Sequence, residues 1–414
     1  MVSKKSGRHH PARRCQEGVF YGRLLTAPSS SRSMCRLRLT LTIPYSSGPH
    51  EPSGSIKILK RQDYIVFYIN SSRIKEVKRV SAVESIMHIG ANIETNVKVA
   101  VVVPSYKVCA HILDVVSAIG PEVARIYIVD DCCPDGSGDF VLNNCSDDRV
   151  VVLKNKENLG VGGAVMAGYR AAINDGMEII VKIDGDGQMD PSLISDFILP
   201  IILGEADYTK GNRFFDLEQI RSMPRVRLFG NAVLSFMTKI SSGYWNLFDP
   251  TNGFTAIHSD VAKHLPFDKI SNRYFFETDM LFRLNILRAV SVDVPMDAKY
   301  GDEVSNLKAS KIVFEFLFKH IRNFSKRIFY NYYLRDMSLA SIEMPLGVVL
   351  VLSGGIYGVA NLIGSIHTGI STSAGTVMLA ALPLILGVQF LLAFIGYDIA
   401  SVPKRPFHRL RKKK

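Results

Sequence analysis

The stretch "VKIDGDGQMDP", Val181 to Pro191, places three acids and a glutamine directly after a short apolar run. The run belongs to "MEIIVKID", the kind of segment that forms a strand buried on both faces. Carboxylates gathered where such a strand ends call for a reason. Asp-Gly pairs form turns readily, so a polar turn accounts for part of the pattern. An EF-hand loop also begins D-x-D, but it needs Gly at its sixth position and Glu at its twelfth. Met189 and Ser195 stand there instead. What remains is D-x-D-x-Q, in which Asp184, Asp186 and Gln188 can present hard oxygen ligands to Mg2+ or Mn2+ beside a diphosphate.

The surroundings decide the fold. "VKVAVVVPSY", from Val97, is an apolar run stopped by Pro104, and "HILDVVSAIG" has helical spacing and closes on Gly120. "RIYIVDD" reads as a second strand ending in Asp130 and Asp131, "RVVVLKN" as a third, and "GGAVMAGYRAAINDG" as a helix between glycines. Strands alternating with helices predict an α/β, Rossmann-like domain with a mostly parallel sheet. In such sheets ligands sit beyond the carboxyl ends of the strands. Asp130, Asp131, Asp184 and Asp186 all fall at those ends.

The flanks differ in character. The 414 residues are 47% hydrophobic and carry a formal charge of +12. Up to Val80, 16 Lys and Arg stand against 4 Asp and Glu, so this stretch holds the whole excess. The basic balance therefore says little about nucleic acid, and no nucleic-acid-binding motif accompanies it. Residues 1–95 are rich in Arg and Ser and are expected to be disordered. Met87 is a candidate start of the native chain. Residues 96–307 form the expected catalytic domain. In 308–340, Phe314, Phe318, Ile321 and Ile328 share one helical face and Lys311, Glu315, Lys319, Arg322 and Lys326 another, as in helices lying at a membrane interface. Two uncharged segments, Pro345–Ile366 and Ala374–Tyr397, follow within 341–398. Each is long enough to cross a bilayer, which takes about 20 residues. Basic residues on both sides place both ends in the cytoplasm, with 399–414 as a basic tail. The six cysteines show no zinc spacing and read as reduced thiols.

From about Val97 to Lys308 the chain resembles a family 2 glycosyltransferase of the GT-A fold, and within it the polyprenyl-phosphate glycosyltransferases such as dolichol-phosphate mannose synthase. The resemblance rests on "VVVPSY", "VDDCCPDGSGD", "NLGVGGAVMAGYRAA", "IDGDGQMDP", "KGNRF", "DPTNGFTAI" and "KYGDEVSNLK", in that order. Cys132-Cys133 departs from the Gly-Ser or Asp-Ser of many relatives. The resemblance implies a nucleoside-diphosphate sugar donor, UDP- or GDP-linked, a polyprenyl phosphate acceptor and a lipid bilayer as partners, with Mg2+ or Mn2+ as cofactor. It implies donor contacts from Pro104, Tyr106, Asp130, Asp131, Asp184 and Gly163, with Asp130 equally readable as a structural turn acid. Metal contacts would come from Asp184, Asp186 and Gln188, and acceptor phosphate contacts from Arg225 and Arg227. Arg213 and Asp249 join Asp186 as catalytic candidates, Asp249 as base or positioning group, with Glu277 and Asp279 a second choice.

Other readings fit less well. "GVGG" at Gly160 follows the third strand rather than the first, unlike a dinucleotide fingerprint. "PSYKVC" is not the Gly-rich loop of a nucleotidyltransferase. No Q-x-x-R-W motif of the processive polysaccharide synthases is present; the sole tryptophan is Trp245. A transferase acting on a hydroxyl of a glycan or glycolipid, and a non-catalytic membrane scaffold or sugar-nucleotide-binding protein, remain as alternatives. Whether the chain forms a homo-oligomer is open. The membrane would be the plasma membrane of a prokaryote or the endoplasmic reticulum of a eukaryote.

Overall fold

The computed structural model describes residues 56–61, 64–69, 97–215, 225–296 and 309–411. The chain divides into one unit ending at Thr95 and a second from Asn96 onward. In the first, Ile56–Arg61 pairs antiparallel with Tyr64–Ile69, two segments whose β-branched and aromatic residues favour extended backbone. The rest of the N-terminal stretch, Met87 included, lies outside the described residues, as does "KYGDEVSNLK".

The second unit is built on seven strands: β1 (Val99–Ser105), β2 (Arg125–Asp130), β3 (Val150–Lys154), β4 (Ile179–Lys182), β5 (Tyr208–Asn212), β6 (Thr255–His258) and β7 (Ser291–Pro295). Their order across the sheet is β3-β2-β1-β4-β6-β5-β7. Only β6 runs antiparallel to its neighbours; every other pairing is parallel. The fold is thus the mixed, mostly parallel α/β sheet expected. The order reverses between β1 and β4, which opens a crevice beyond their carboxyl ends where connections leave in opposite directions. Because β6 is reversed, its amino end reaches the same edge, and "DPTNGF" arrives there with it.

The helices of this unit are α1 (Ile112–Ser117), α2 (Ser137–Asn144), α3 (Val161–Asn174), α4 (Ile194–Ile202), α5 (Arg225–Ser242), α6 (Ser259–Ala262) and α7 (Phe276–Ile286). Alternate residues of a strand face opposite sides, so a strand with helices on both sides must be apolar throughout. Val99, Val101 and Val103 pack with α1, α2 and α4. Ala100 and Val102 pack with α3 and α7 on the other face. That two-sided burial is why "VAVVV" shows no polar alternation.

After this domain come α8 (Ala309–Ile328), a π-helical turn (Phe329–Arg335), α9 (Ala340–Thr368), α10 (Ala374–Ala400) and α11 (Phe407–Arg411). Helix α8 is turned in an unusual sense. Its polar His320, Asn323 and Arg327 are buried, while Phe314, Phe318 and Ile321 are exposed. Of the apolar face read from the sequence, Ile328 alone points inward, against Tyr332, Ala340 and Phe394. A soluble amphipathic helix would bury the phenylalanines; this one leaves them for another phase.

Helices α9 and α10 are long and apolar enough to cross a membrane, and little of their apolar length is buried (11% and 17%). They are therefore not core helices. They approach closely where side chains vanish: a Cβ on Gly347 would sit 3.0 Å from the Gly387 carbonyl oxygen, and one on Gly387 2.8 Å from Val351 N. Small residues at such crossings let two helix backbones meet.

Two polar contacts tie this hairpin to the sheet domain. Asp398, near the end of α10, accepts from Arg327 Nη1 (2.6 Å) and Nη2 (3.0 Å), from Tyr332 Oη (2.6 Å) and from Trp245 Nε1 (2.8 Å). Both members of the ion pair are almost wholly buried. Further on, the fully buried Asp207 accepts from the backbone N–H of Phe407 (2.7 Å) and His408 (3.0 Å) and pairs with His408 Nδ1 (2.6 Å). The basic tail thus returns to the sheet through α11. Asp398→Ala leaves Arg327 buried and unpaired, a loss of about 3–5 kcal/mol. Its thermal unfolding midpoint in detergent is expected to fall sharply. Replacing both partners together, Arg327→Met with Asp398→Leu, is expected to recover only part of the loss, because Tyr332 Oη and Trp245 Nε1 still lose their acceptor.

Candidate active site

The site is assembled where β1, β2 and β4 end. Pro104, Ser105, Tyr106, Asp131, Asn158, Asp184 and Asp186 line a cleft of about 280 Å3 at this edge. Asp130 is not among the residues that line it. One carboxylate oxygen accepts from Cys133 N (2.8 Å) and the other from Gly138 N (2.9 Å), so this acid holds the turn that follows β2. Asp131, also buried, accepts from Asn155 Nδ2 (2.8 Å), Leu159 N (3.0 Å) and Gly160 N (2.6 Å). It clasps the loop leading into α3 while its residue borders the cleft. Gly163 does not line the cleft. Its N–H donates to the Asn272 carbonyl (3.2 Å), as does that of Gly162 (2.8 Å).

The acidic stretch has an internal counter-ion. Lys182, the last residue of β4, is buried and lies 2.7 Å from Asp184 Oδ1 and 3.8 Å from Glu277 Oε1. Burial works against its charge, but Asp184 and Glu277 outweigh burial and hold the ammonium above its ordinary range. Burial pushes the Glu277 carboxyl up, with Lys182 and Lys210 drawing it back. Gly253 of "DPTNGF" packs on this pair: a Cβ there would fall 2.4 Å from both Asp184 Oδ2 and Lys182 Nζ. Only glycine admits so close an approach. Asp184 is thus held from behind. Asp186 Oδ1 accepts from Gln188 N (3.0 Å), closing a local turn. Asp190 accepts from Ser192 N (3.0 Å) and caps the short helix beginning at Pro191.

A second cluster sits beside the first, at the carboxyl end of β5. Arg213 makes a fork to the fully buried Asp249, Nε to Oδ2 at 2.8 Å and Nη2 to Oδ1 at 3.1 Å, and reaches Thr251 Oγ1 at 3.2 Å. Neither residue lines the cleft. The segment from Asp249 to Gly253 joins the two clusters, because its ends rest on Arg213 and Asp184. Arg225 and Arg227 stand in the first turn of α5; their side chains lie outside the described residues. Asp279 serves packing, accepting from Ser271 N (2.9 Å) and Asn323 Nδ2 (3.1 Å).

Sequence reading missed the buried lysines beneath the site. Lys210 is fully buried, donates to the Asn252 carbonyl, and burial pushes it down to about 8. Lysines at alternate-face positions of buried strands were the available signal. Among the described residues no group of three or more acids, His or Cys gathers as a metal site, and Asp184 and Asp186 bring two carboxylates to the cleft. Hard oxygens with a lysine on their far side fit Mg2+ or Mn2+ completed by phosphate oxygens and water.

Residues 100–265 match the glycosyl transferase family 2. The chain is 31% identical over 178 residues to the undecaprenyl-phosphate mannosyltransferase of Micrococcus luteus, covering 42% of this chain and 72% of that protein. An uncharacterized protein of Methanocaldococcus jannaschii is 27% identical over 226 residues, covering 54% of this chain and 91% of that one. The UDP-N-acetylglucosamine–dolichyl-phosphate N-acetylglucosaminyltransferase of Methanococcus voltae is 34% identical over 126 residues, covering 30% of this chain and 50% of that enzyme. The chain belongs to glycosyl transferase family 2.

Asp293, on β7, offers a test of the electrostatics beneath the site. Its Oδ2 accepts from Phe248 N (2.9 Å) and Asn212 Nδ2 (3.1 Å), while Oδ1 is buried without a partner. Burial pushes its carboxyl up to about 6. A carboxyl with a raised folded pKa opposes folding once ionised. Its cost is absent below the unfolded value near 4, grows as pH rises to about 6, and is constant above. Asp293→Asn keeps the acceptor and removes the charge. It is expected to stabilise by about 1–2 kcal/mol at pH 7.5, after allowance for partial exposure, with the gain vanishing toward pH 4. Thermal unfolding against pH measures it.

Proposed function

We propose that this chain is a membrane-bound inverting glycosyltransferase that moves one sugar from a nucleoside-diphosphate sugar, UDP- or GDP-linked, to a polyprenyl phosphate. One observation carries the choice of acceptor: the carboxylates around the site are already engaged. Asp249 is buried in the Arg213 fork, Asp131 is occupied by three donors, and Asp184 is paired with Lys182. A sugar hydroxyl must lose a proton to a general base as it attacks. A phosphate monoester is anionic near neutrality and needs none. The relatives named for undecaprenyl and dolichyl phosphate support the same reading.

In this reading Pro104, Tyr106 and Asp131 receive the nucleoside. Asp186 and Gln188, with Asp184 behind them, hold the Mg2+ or Mn2+ whose chemistry when bound is to offset charge on the departing diphosphate. Lys182 fixes Asp184, and Asp249 fixes Arg213, so that the guanidinium stands ready for a phosphate. Arg225 and Arg227 supply further guanidinium forks to the acceptor phosphate from the start of α5. The outward phenylalanines of α8 seat the domain on the bilayer where the lipid acceptor resides, and α9 with α10 anchor it. Both ends of the hairpin then share the cytoplasmic side with the sheet domain, because Arg327–Asp398 and Asp207–His408 tie them to it.

Membranes incubated with a panel of radiolabelled nucleotide-sugars are expected to pass label into an organic-extractable, acid-labile lipid. Label appearing only in water-soluble glycan would refute the acceptor. Asp186→Ala is expected to lower turnover about a thousandfold, the effect of several kcal/mol, with an unchanged thermal unfolding midpoint. Substantial residual turnover would count against the role given to Asp186.

A further inference from the structure

Among the described residues, Asp131, Asp184 and Asp186 line the cleft with a single positive side chain. Arg273 is the only Lys or Arg among the described residues that line it. It is exposed, and among the described residues its guanidinium has no hydrogen-bond or ion-pair partner. Its neighbour Tyr274 also lines the cleft and is 63% exposed.

The backbone beneath these two side chains is held firmly. Ser271 N donates to Asp279 Oδ2 (2.9 Å). The Asn272 carbonyl accepts from Gly162 N (2.8 Å) and Gly163 N (3.2 Å), and the Arg273 carbonyl accepts from Phe276 N (2.8 Å). Gly160 completes the seat. A Cβ on it would lie 2.8 Å from both Arg273 Cγ and the Asn272 carbonyl oxygen, so glycine lets the segment rest directly on the loop that Asp131 clasps. The side chain crossing Gly160 is thus one residue contact from the acid assigned to the nucleoside. A pinned backbone carrying two unengaged side chains into a cleft is what a binding element requires, since little order remains to be imposed on binding.

We propose that Arg273 is a donor-binding residue that contacts the diphosphate, and that Tyr274 closes over the nucleoside opposite Tyr106. This deepens the donor reading given above and rests on it. The charge argument is direct. Three carboxylates repel a diphosphate unless cations intervene, and a guanidinium fork matches phosphate oxygens as an ammonium does not. Of the other basic candidates, Arg213 is not among the cleft-lining residues, and it is assigned with Arg225 and Arg227 to the acceptor. Arg273 therefore gives the donor a cation of its own.

The test is calorimetric titration of the full chain in detergent, with Mn2+, against UDP and GDP at several salt concentrations. Arg273→Ala is expected to weaken the diphosphate that the wild type binds by about 10- to 100-fold, the span of a hydrogen bond to a charged group. Its affinity should also depend less on salt, because a charge contact is gone. Arg273→Lys should fall between and keep the salt dependence. Tyr274→Ala should weaken binding with the salt dependence unchanged. Unaltered thermal midpoints would separate these effects from misfolding. Wild-type affinity and salt dependence in Arg273→Ala would overturn the inference while leaving the donor reading intact. A wild-type chain that bound neither diphosphate would overturn the donor reading itself, and this inference with it.

Discussion

A lysine ammonium sealed inside the sheet is the constraint on which the site depends. Lys182 ends β4 where the strand order reverses, and it holds Asp184 from behind. A bare carboxylate pair at that depth would repel itself and a diphosphate alike. With the ammonium beneath it, Asp184 keeps its direction, and Asp186 lines the cleft beside it. The same lysine explains why "DPTNGF" must bring a glycine to this spot, since any side chain would collide with the pair. The acidic stretch, the cleft and the Arg213–Asp249 fork are therefore parts of one electrostatic assembly rather than three motifs that happen to be near.

The second organising feature is the orientation of α8. A helix that buries Arg327, His320 and Asn323 while exposing Phe314, Phe318 and Ile321 makes sense only if its outer face meets something apolar. Its buried arginine reaches Asp398 at the end of α10, so the contact that turns the helix also fixes the hairpin. The tail adds a second attachment at Asp207. Sheet domain, outward-facing helix and hairpin are thus held as one body.

Much of this was legible in the chain. The unbroken "VAVVV" announced a strand covered on both faces, and the carboxylates closing successive apolar runs marked the productive edge of the sheet. The ordered motifs identified the family, and two long uncharged segments announced the hairpin. Less was legible at the level of single side chains. Asp130 and Asp131 are adjacent and chemically identical, yet one serves a turn and the other clasps the cleft loop. Asp249 read as a base or a positioning group, and its burial under the Arg213 fork was not legible at all. Arg273 and Tyr274 gave no signal, because nothing local says that their segment crosses the head of α3.

Local pattern alone determined the elements, their order and the edge at which charge would collect, because periodicity and the chemistry of turns are properties of neighbours along the chain. Which carboxylates line the cleft, which lysines are buried as their partners and which face of α8 looks outward were decided only by tertiary structure. Ion pairs such as Lys182 with Glu277 and Arg327 with Asp398 join residues far apart in sequence. Their strength comes from removal from water, and no short stretch of sequence encodes that.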